Sequence, residues 1–444
     1  MMLIEFSVGN YRSIKEIVTL SMVAAPITEH EDTHVFAVDK FELLKSAVIY
    51  GANASGKSNL LKALWFMKWF VSNSSKESQT TKPIAIDLFQ LSTETEKAPA
   101  FFEITFICDH KKYRYGFEID RQKVHAEWLF FKPSRQEAKL FTREGEHISI
   151  SRNFKEGKGL PSKTRPKALF LSVVAQFNGE IATKILQWFE EHCRIISGLD
   201  DSFYEGFTLE QLEHHEFKKI ALAYLKIADF GINDIGIKKM KLNIPKFPEN
   251  IKVDFRKSAE NEFDGVLTPY VLQNNEGGVE AILTPCMHIK YNENLQPTSI
   301  EEFDLDLNES RGTQKFLMLL GPLLDTLNNG YTLIVDELDA RLHPLLTRFI
   351  VQLFHNTQAN SKSAQLIFAT HDTNLLTNEL FRRDQIWFTE KDQYGATDLY
   401  SLVEYKQAQK KVRKDASFAK DYMLGKYGAI PFIGNVELFS DNPK

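Results

Sequence analysis

Gly51-Ala52-Asn53-Ala54-Ser55-Gly56-Lys57-Ser58 decides how this chain is read. The stretch has the form G-x-x-x-x-G-K-[ST], a loop that holds phosphate. Its flanks fit. Ser46-Ala47-Val48-Ile49-Tyr50 is short and apolar, as a buried strand is, and Asn59-Leu60-Leu61-Lys62-Ala63-Leu64-Trp65-Phe66 opens a helix. Strand, glycine loop and helix start together aim backbone N–H groups and the positive end of a helix dipole at an anion. Gly51 and Gly56 permit angles and close approach that a Cβ blocks. On this reading Asn53, Ala54, Ser55, Gly56 and Asn59 are nucleotide contacts. Lys57 reaches the β- and γ-phosphates, and the Ser58 hydroxyl ligates Mg²⁺.

A phosphate loop needs a second strand that ends in an acid. Tyr331-Thr332-Leu333-Ile334-Val335-Asp336-Glu337 supplies it. Asp336, at the strand's end, is placed to hold Mg²⁺. Side chains alternate along a strand, so Glu337 points elsewhere and is placed to orient and deprotonate an attacking water. Upstream, Glu309-Ser310-Arg311-Gly312-Thr313-Gln314-Lys315-Phe316 puts Ser310 and Gly312 at a helix start, a second anion site. Downstream, Gln365-Leu366-Ile367-Phe368-Ala369-Thr370-His371-Asp372 is an apolar strand ending in a histidine, the candidate γ-phosphate sensor.

Composition bounds the remainder. The 444 residues are 43% hydrophobic and 25% charged, with a net charge of -5. This is ordinary globular composition, large enough for two or three domains. A chain that coats nucleic acid is excluded; contact with DNA or RNA would need a local basic patch. Cys108, Cys193 and Cys286 are far apart, with no metal spacing and no disulfide framework, which fits a reducing cytoplasm. No apolar run is long enough to span a bilayer, and the start, Met1-Met2-Leu3-Ile4-Glu5-Phe6, reads as a strand rather than a signal peptide.

The pattern divides the chain into three parts. Residues 1–178 hold the phosphate loop and a run of β-like stretches at 100–108, 112–119, 124–132, 139–142 and 147–151. Residues 179–300 form an insertion. It is helical over 179–230 and mixed beyond, with strand-like pieces near 265–272 and 286–291. Residues 301–444 return to alternating helix and strand. The polar segment 72–81 reads as an exposed loop.

These motifs, in this order, resemble an ABC-type ATPase of the SMC/RecF-like branch. More narrowly, the chain resembles the stand-alone bacterial ATPases linked to abortive infection and to overcoming-lysogenization-defect proteins. The matching pieces are Phe6-Ser7-Val8-Gly9-Asn10-Tyr11-Arg12-Ser13, the phosphate loop, the signature from Glu309 to Thr313, Asp336-Glu337, the D-loop Leu338-Asp339-Ala340, and Thr370-His371-Asp372. The resemblance implies an α/β fold: an ABC-type P-loop head of mixed sheet and flanking helices, with an antiparallel β subdomain and a helical insertion. It places Arg12 and Ser13 near the base or α-phosphate, Asn53 above the γ-phosphate, and Asp339 at the nucleotide. Gln176 is the candidate metal-contacting glutamine, with Gln90 as its competitor. The signature departs from Leu-Ser-Gly-Gly, with Glu309 at the leucine and Arg311 at the first glycine.

The resemblance further implies a homodimer or higher homo-oligomer in which Ser310 and Gly312 of one copy cover the ATP held by another. Residues 372–444 are fewer than an acidic Toprim nuclease needs, so a separate effector protein, nuclease or Toprim-like, is the expected partner. The expected role is the sensor of an anti-phage system; the alternative is a RecF-like DNA repair or maintenance ATPase. Two basic stretches, 238–257 and 404–426, are the candidates for meeting DNA or RNA phosphates. The tail Tyr422-Met423-Leu424-Gly425-Lys426-Tyr427-Gly428-Ala429-Ile430-Pro431 is expected to dock on the core or on a partner.

Overall fold

The computed structural model describes residues 2–77, 82–132, 136–200, 204–242, 270–273, 279–407 and 410–431. Packing divides the chain into two units: 1–197 with 326–339 and 348–444, and 198–325 with 340–347. These divisions differ from those at 178 and 300 because strand pairing, not sequence order, sets them.

The first unit opens with β1 (Met2–Gly9), β2 (Val18–Ser21), the short helix α1 (Glu31–His34), the hairpin β3 (Val35–Val38) and β4 (Phe41–Leu44), and then β5 (Ser46–Tyr50). Helix α2 (Lys57–Glu77) follows the glycine loop. Next come β6 (Ala100–Cys108), β7 (Lys111–Ile119), β8 (Val124–Lys132), β9 (Ala138–Glu144) and β10 (His147–Ile150). These last five join β1 and β2 in a seven-stranded antiparallel sheet of order β10-β9-β8-β7-β6-β1-β2. Its aromatic face packs on α2: Phe66 meets Phe102 at 5.3 Å and Phe70 meets Phe117 at 5.6 Å. Such ring pairs add to the area they bury.

Residues 170–176 are the helix α3 (Phe170–Gln176). It starts where the buried Glu127 carboxylate accepts from Phe170 N at 2.6 Å and Leu171 N at 3.0 Å, satisfying donors the helix leaves open. Helix α4 (Glu180–Gln187) leads to β11 (Cys193–Ser197), a strand inside the stretch that reads as helical. Its parallel pairing with the acid strand overrides local propensity. The segment 72–81 is also corrected. Residues 72–77 continue α2, because Ser74 is buried and donates to Ser172 on α3 at 2.9 Å. Residues 78–81 lie outside the described set.

The second unit contains α5 (Glu205–Leu212), α6 (His215–Ile227), β12 (Asp234–Ile235), β13 (Lys238–Leu242), β14 (Tyr270–Gln273), β15 (Val279–Leu283), β16 (Pro285–Tyr291), β17 (Pro297–Asp304), the short α7 (Leu305–Asn308) and the start of α8 (Arg311–Asn329). Of the expected strand at 265–272, residues 265–269 lie outside the described set.

The chain re-enters the first unit to supply β18 (Thr332–Asp336), most of α9 (Pro344–His355), β19 (Gln365–Ala369), β20 (Ile386–Lys391), β21 (Thr397–Ser401) and α10 (Phe418–Met423). The second sheet has the order β11-β18-β19-β5-β20-β21, parallel except for β21. Every residue of β5 and β19 is buried, as expected for parallel strands covered on both faces. The carboxyl ends of β11, β18, β19 and β5 lie on one edge, where open parallel sheets bind ligands.

Beyond the amino end of β5, three imidazoles stack. His30 lies 4.6 Å from His34, and His34 lies 3.6 Å from His355. His34 Nδ1 is 2.8 Å from Gln385 Oε1, and His355 Nε2 is 2.8 Å from Ser46 Oγ. Burial holds His34 down at about 4 and His355 well below its ordinary value; Lys45 adds repulsion on both, and Arg382 on His34. Asp384 binds Arg382 directly, and Glu379 is the acid lining the same cleft. Both histidines are therefore neutral in the fold and gain protons on unfolding once pH falls below about 6.5. The stabilisation from His34 is complete above that value and is lost as pH falls towards 4, at roughly 1.4 kcal/mol per pH unit, and His355 acts in the same direction. Thermal melts from pH 7 to 5 should show a falling midpoint that His34→Gln flattens. An equal slope in the variant would discount the stack.

Candidate functional site

The glycine loop is held from beneath by two strands. Gly51 and Gly56 have φ of 155° and 115°, and a Cβ on Gly56 would stand 2.3 Å from Thr397 Oγ1. Ser55 Oγ lies 2.6 Å from Thr389 Oγ1 on β20, and Thr397 Oγ1 on β21 donates to Ser55 O at 2.8 Å. The loop is thus clamped before any ligand arrives. Asn53 and Ala54 form its exposed tip, with Ala54 at φ 61°. Lys57 is buried and Nζ donates to Gly51 O at 2.7 Å and Ala52 O at 3.1 Å. Burial lowers its pKa, and Asp336, Glu337 and Asp339 oppose that shift. Ser58 is half-buried on the first turn of α2.

The N-terminal turn joins this loop. Asn59 Nδ2 donates to Ser13 Oγ at 2.7 Å, and Ser13 Oγ lies 2.9 Å from Thr397 Oγ1. Arg12 has φ 51° and pairs with Asp87 at 3.0 Å. Ser13 therefore stands on the nucleotide loop itself, and Arg12 one residue away is tied to the segment beside it.

Asp336 ends β18, and its Oδ1 is buried with no protein partner. Glu337 lies past the strand at φ 56°, in the left-handed region. Its direction is therefore set by this backbone turn and not by strand alternation; a non-glycine residue held there stores about 1–3 kcal/mol of strain. Asp339 Oδ2 accepts from His371 N at 3.4 Å, while Asp339 Oδ1 is a second buried oxygen without a partner. His371 follows β19 and is exposed; burial of part of its ring and the nearby Lys57 lower its pKa, so it is neutral at pH 7. A cleft of about 320 Å³ runs between Gly51, Asn53 and His371 on one side and Tyr422, Met423 and Ile430 of the tail on the other. The tail docks on the core: Tyr422 stacks on Phe388 at 5.3 Å, and Tyr400 OH donates to Tyr427 O at 2.6 Å.

Ser310 and Gly312 belong to the second unit. Ser310 is exposed and caps α8: its Oγ accepts from Thr313 N at 3.1 Å. A Cβ on Gly312 would stand 3.2 Å from Arg341 O. Gln314 Nε2 donates to the carbonyls of Leu305 and Glu309, at 2.8 and 3.0 Å, and ties the preceding segment to the helix.

Gln176 ends α3, exposed, and Ser172 of that helix bonds Val71 O on α2 at 2.6 Å. The strand beside β18 is β11, whose last residue, Ser197, is in register with Asp336. The sequence also did not single out Thr389 and Thr397, since threonine is an ordinary strand residue. Of the basic stretch 238–257, residues 243–257 lie outside the described set, while Lys238 and Lys239 pair with Glu302 and Glu213. In 404–426, Arg413 pairs with Asp415 at 2.7 Å and Lys426 with Asp421 at 2.6 Å.

A loop of this shape after β5, with the acid two strands away and a neutral histidine on the strand between, is the ligand edge of a P-loop NTPase. The chain belongs to the family described as AAA domain, putative AbiEii toxin, Type IV TA system, whose model matches residues 46–377. No curated protein matches the chain. Membership makes this an ATPase-family domain. Among the described residues, no helix is long and apolar enough to cross a membrane.

Proposed function

We propose that this protein hydrolyses ATP as a switch, with a second copy closing each nucleotide site, and that it serves as the regulatory subunit of an anti-phage system controlling a separate effector nuclease. The observation that carries the hydrolysis is the convergence of Lys57, Asp336, Glu337 and His371 at one sheet edge. The residues fit a magnesium ion, since Asp336 offers a buried oxygen that no protein group satisfies. Ser58 and Asp336 would hold it, and it would neutralise phosphate charge. Lys57 binds the β- and γ-phosphates once it leaves the loop carbonyls. Glu337 orients water and takes its proton. His371, neutral, donates or accepts at the γ-phosphate. Cleavage removes the group that both copies grip, so the two states differ in affinity and the switch resets.

The family match supports the defence setting through its toxin–antitoxin description. Phosphate release, light scattering with and without ATP, and plaque counts on cells carrying wild type or Lys57→Ala test the proposal. Turnover, ATP-dependent assembly and loss of protection in the variant support it. Protection untouched by Lys57→Ala, or tight, salt-dependent, ATP-stimulated duplex binding, would favour the maintenance role instead.

A further inference from the structure

Glu309 sets a problem that the structure answers. Its carboxylate immediately precedes Ser310, the cap of a 19-residue helix. A helix N-terminus attracts the nearest anion, and a side chain one residue away is its natural occupant. Left alone, Glu309 would compete with the phosphate that the proposed assembly brings to Ser310 and Gly312, and would repel it. In the structure the carboxylate has a partner on another element. His288, on β16, donates from Nε2 to Glu309 Oε1 at 2.6 Å. The pair is largely shielded, with side-chain exposures of 21% for His288 and 9% for Glu309. The His288 ring is fixed in turn by Phe303 on β17, 4.8 Å away. Gln314 holds the Glu309 carbonyl from the helix side, so backbone and side chain are fixed separately.

We propose that His288 is a positioning residue for ATP hydrolysis. It holds the Glu309 carboxylate off the start of α8 and thereby keeps Ser310 and Gly312 open to the γ-phosphate of a nucleotide on a second copy. The proposal rests on the two-copy reading above. It also accounts for an acid at the signature's first position: a carboxylate there is tolerated because a donor from a neighbouring strand holds it.

The test uses the whole protein and ATP. His288→Ala should raise KM for ATP and lower assembly-coupled turnover by about tenfold, the scale of one charge-assisted hydrogen bond. Binding of ATP to the P-loop of the dispersed subunit should stay within twofold. His288→Gln, which keeps a donor near the Nε2 position, should restore most of the activity. His288→Ala combined with Glu309→Ala should recover activity relative to His288→Ala alone, because the competing anion is gone. A purely structural role predicts no such recovery. Equal activity of His288→Ala and wild type, or a double variant no better than the single one, overturns the proposal and leaves the two-copy reading intact. Wild-type protein that neither assembles with ATP nor hydrolyses it overturns both.

Discussion

Glu337→Gln is expected to retain ATP and to turn it over roughly 10²–10⁴ times more slowly than wild type, the usual contribution of a general base. The substitution keeps the size of the side chain and removes only its ability to accept a proton. Glu337 sits in the left-handed region immediately after β18, and glutamine tolerates that turn as well as glutamate does. The fold should therefore be unchanged. With cleavage blocked, the ATP-bound assembly should accumulate, and light scattering with ATP should show the larger species persisting where wild type returns to the smaller one. Steady-state phosphate release is the second readout. An unchanged rate would remove Glu337 from the role of base.

Lys57→Ala should abolish measurable ATP binding. Lys57 is placed to meet two phosphates, and losing two charge-assisted contacts costs roughly 3–5 kcal/mol, about a hundredfold or more in Kd. The ammonium is buried and bonded to Gly51 O and Ala52 O, the contacts it exchanges for phosphate when nucleotide binds. The variant leaves those two carbonyls to water at the cleft and should melt within a few degrees of wild type. Titration calorimetry decides the point: retained binding at wild-type affinity would exclude the role given to Lys57. Gly56→Ala is the steric counterpart. Its Cβ meets Thr397 at 2.3 Å with φ at 115°, so it should distort the loop while leaving the lysine in place.

The site was legible where its chemistry is written in consecutive residues. The loop from Gly51 to Ser58, the apolar run into Asp336 and the run into His371 each carry their own strand or helix signal, and the fold class followed from them. Glu337 reads as a continuation of the strand, but it lies past the end of β18, and its direction is set by a backbone turn that strand periodicity does not encode. Gln176 is the reverse case: its spacing alone does not say which part of α2 its helix meets, and α3 packs against the distal part of α2 through Ser172 and Ser74. The strand at 193–197 was hidden because five residues between helical patterns carry too little periodicity to stand out.

By itself the sequence determined that this chain carries a glycine loop of the phosphate-binding form and opposes it with an acid strand, because those features are written in local backbone geometry and fixed spacing. Only the tertiary structure decided which distant groups support them. Thr389 and Thr397 clamp the loop, Ser13 joins it, β11 lies beside the acid strand, and His288 restrains Glu309. The physical reason is that each of these contacts joins residues from separate strands or loops, and hydrogen bonds between them exist only once hydrophobic burial has fixed the register of the elements that carry them.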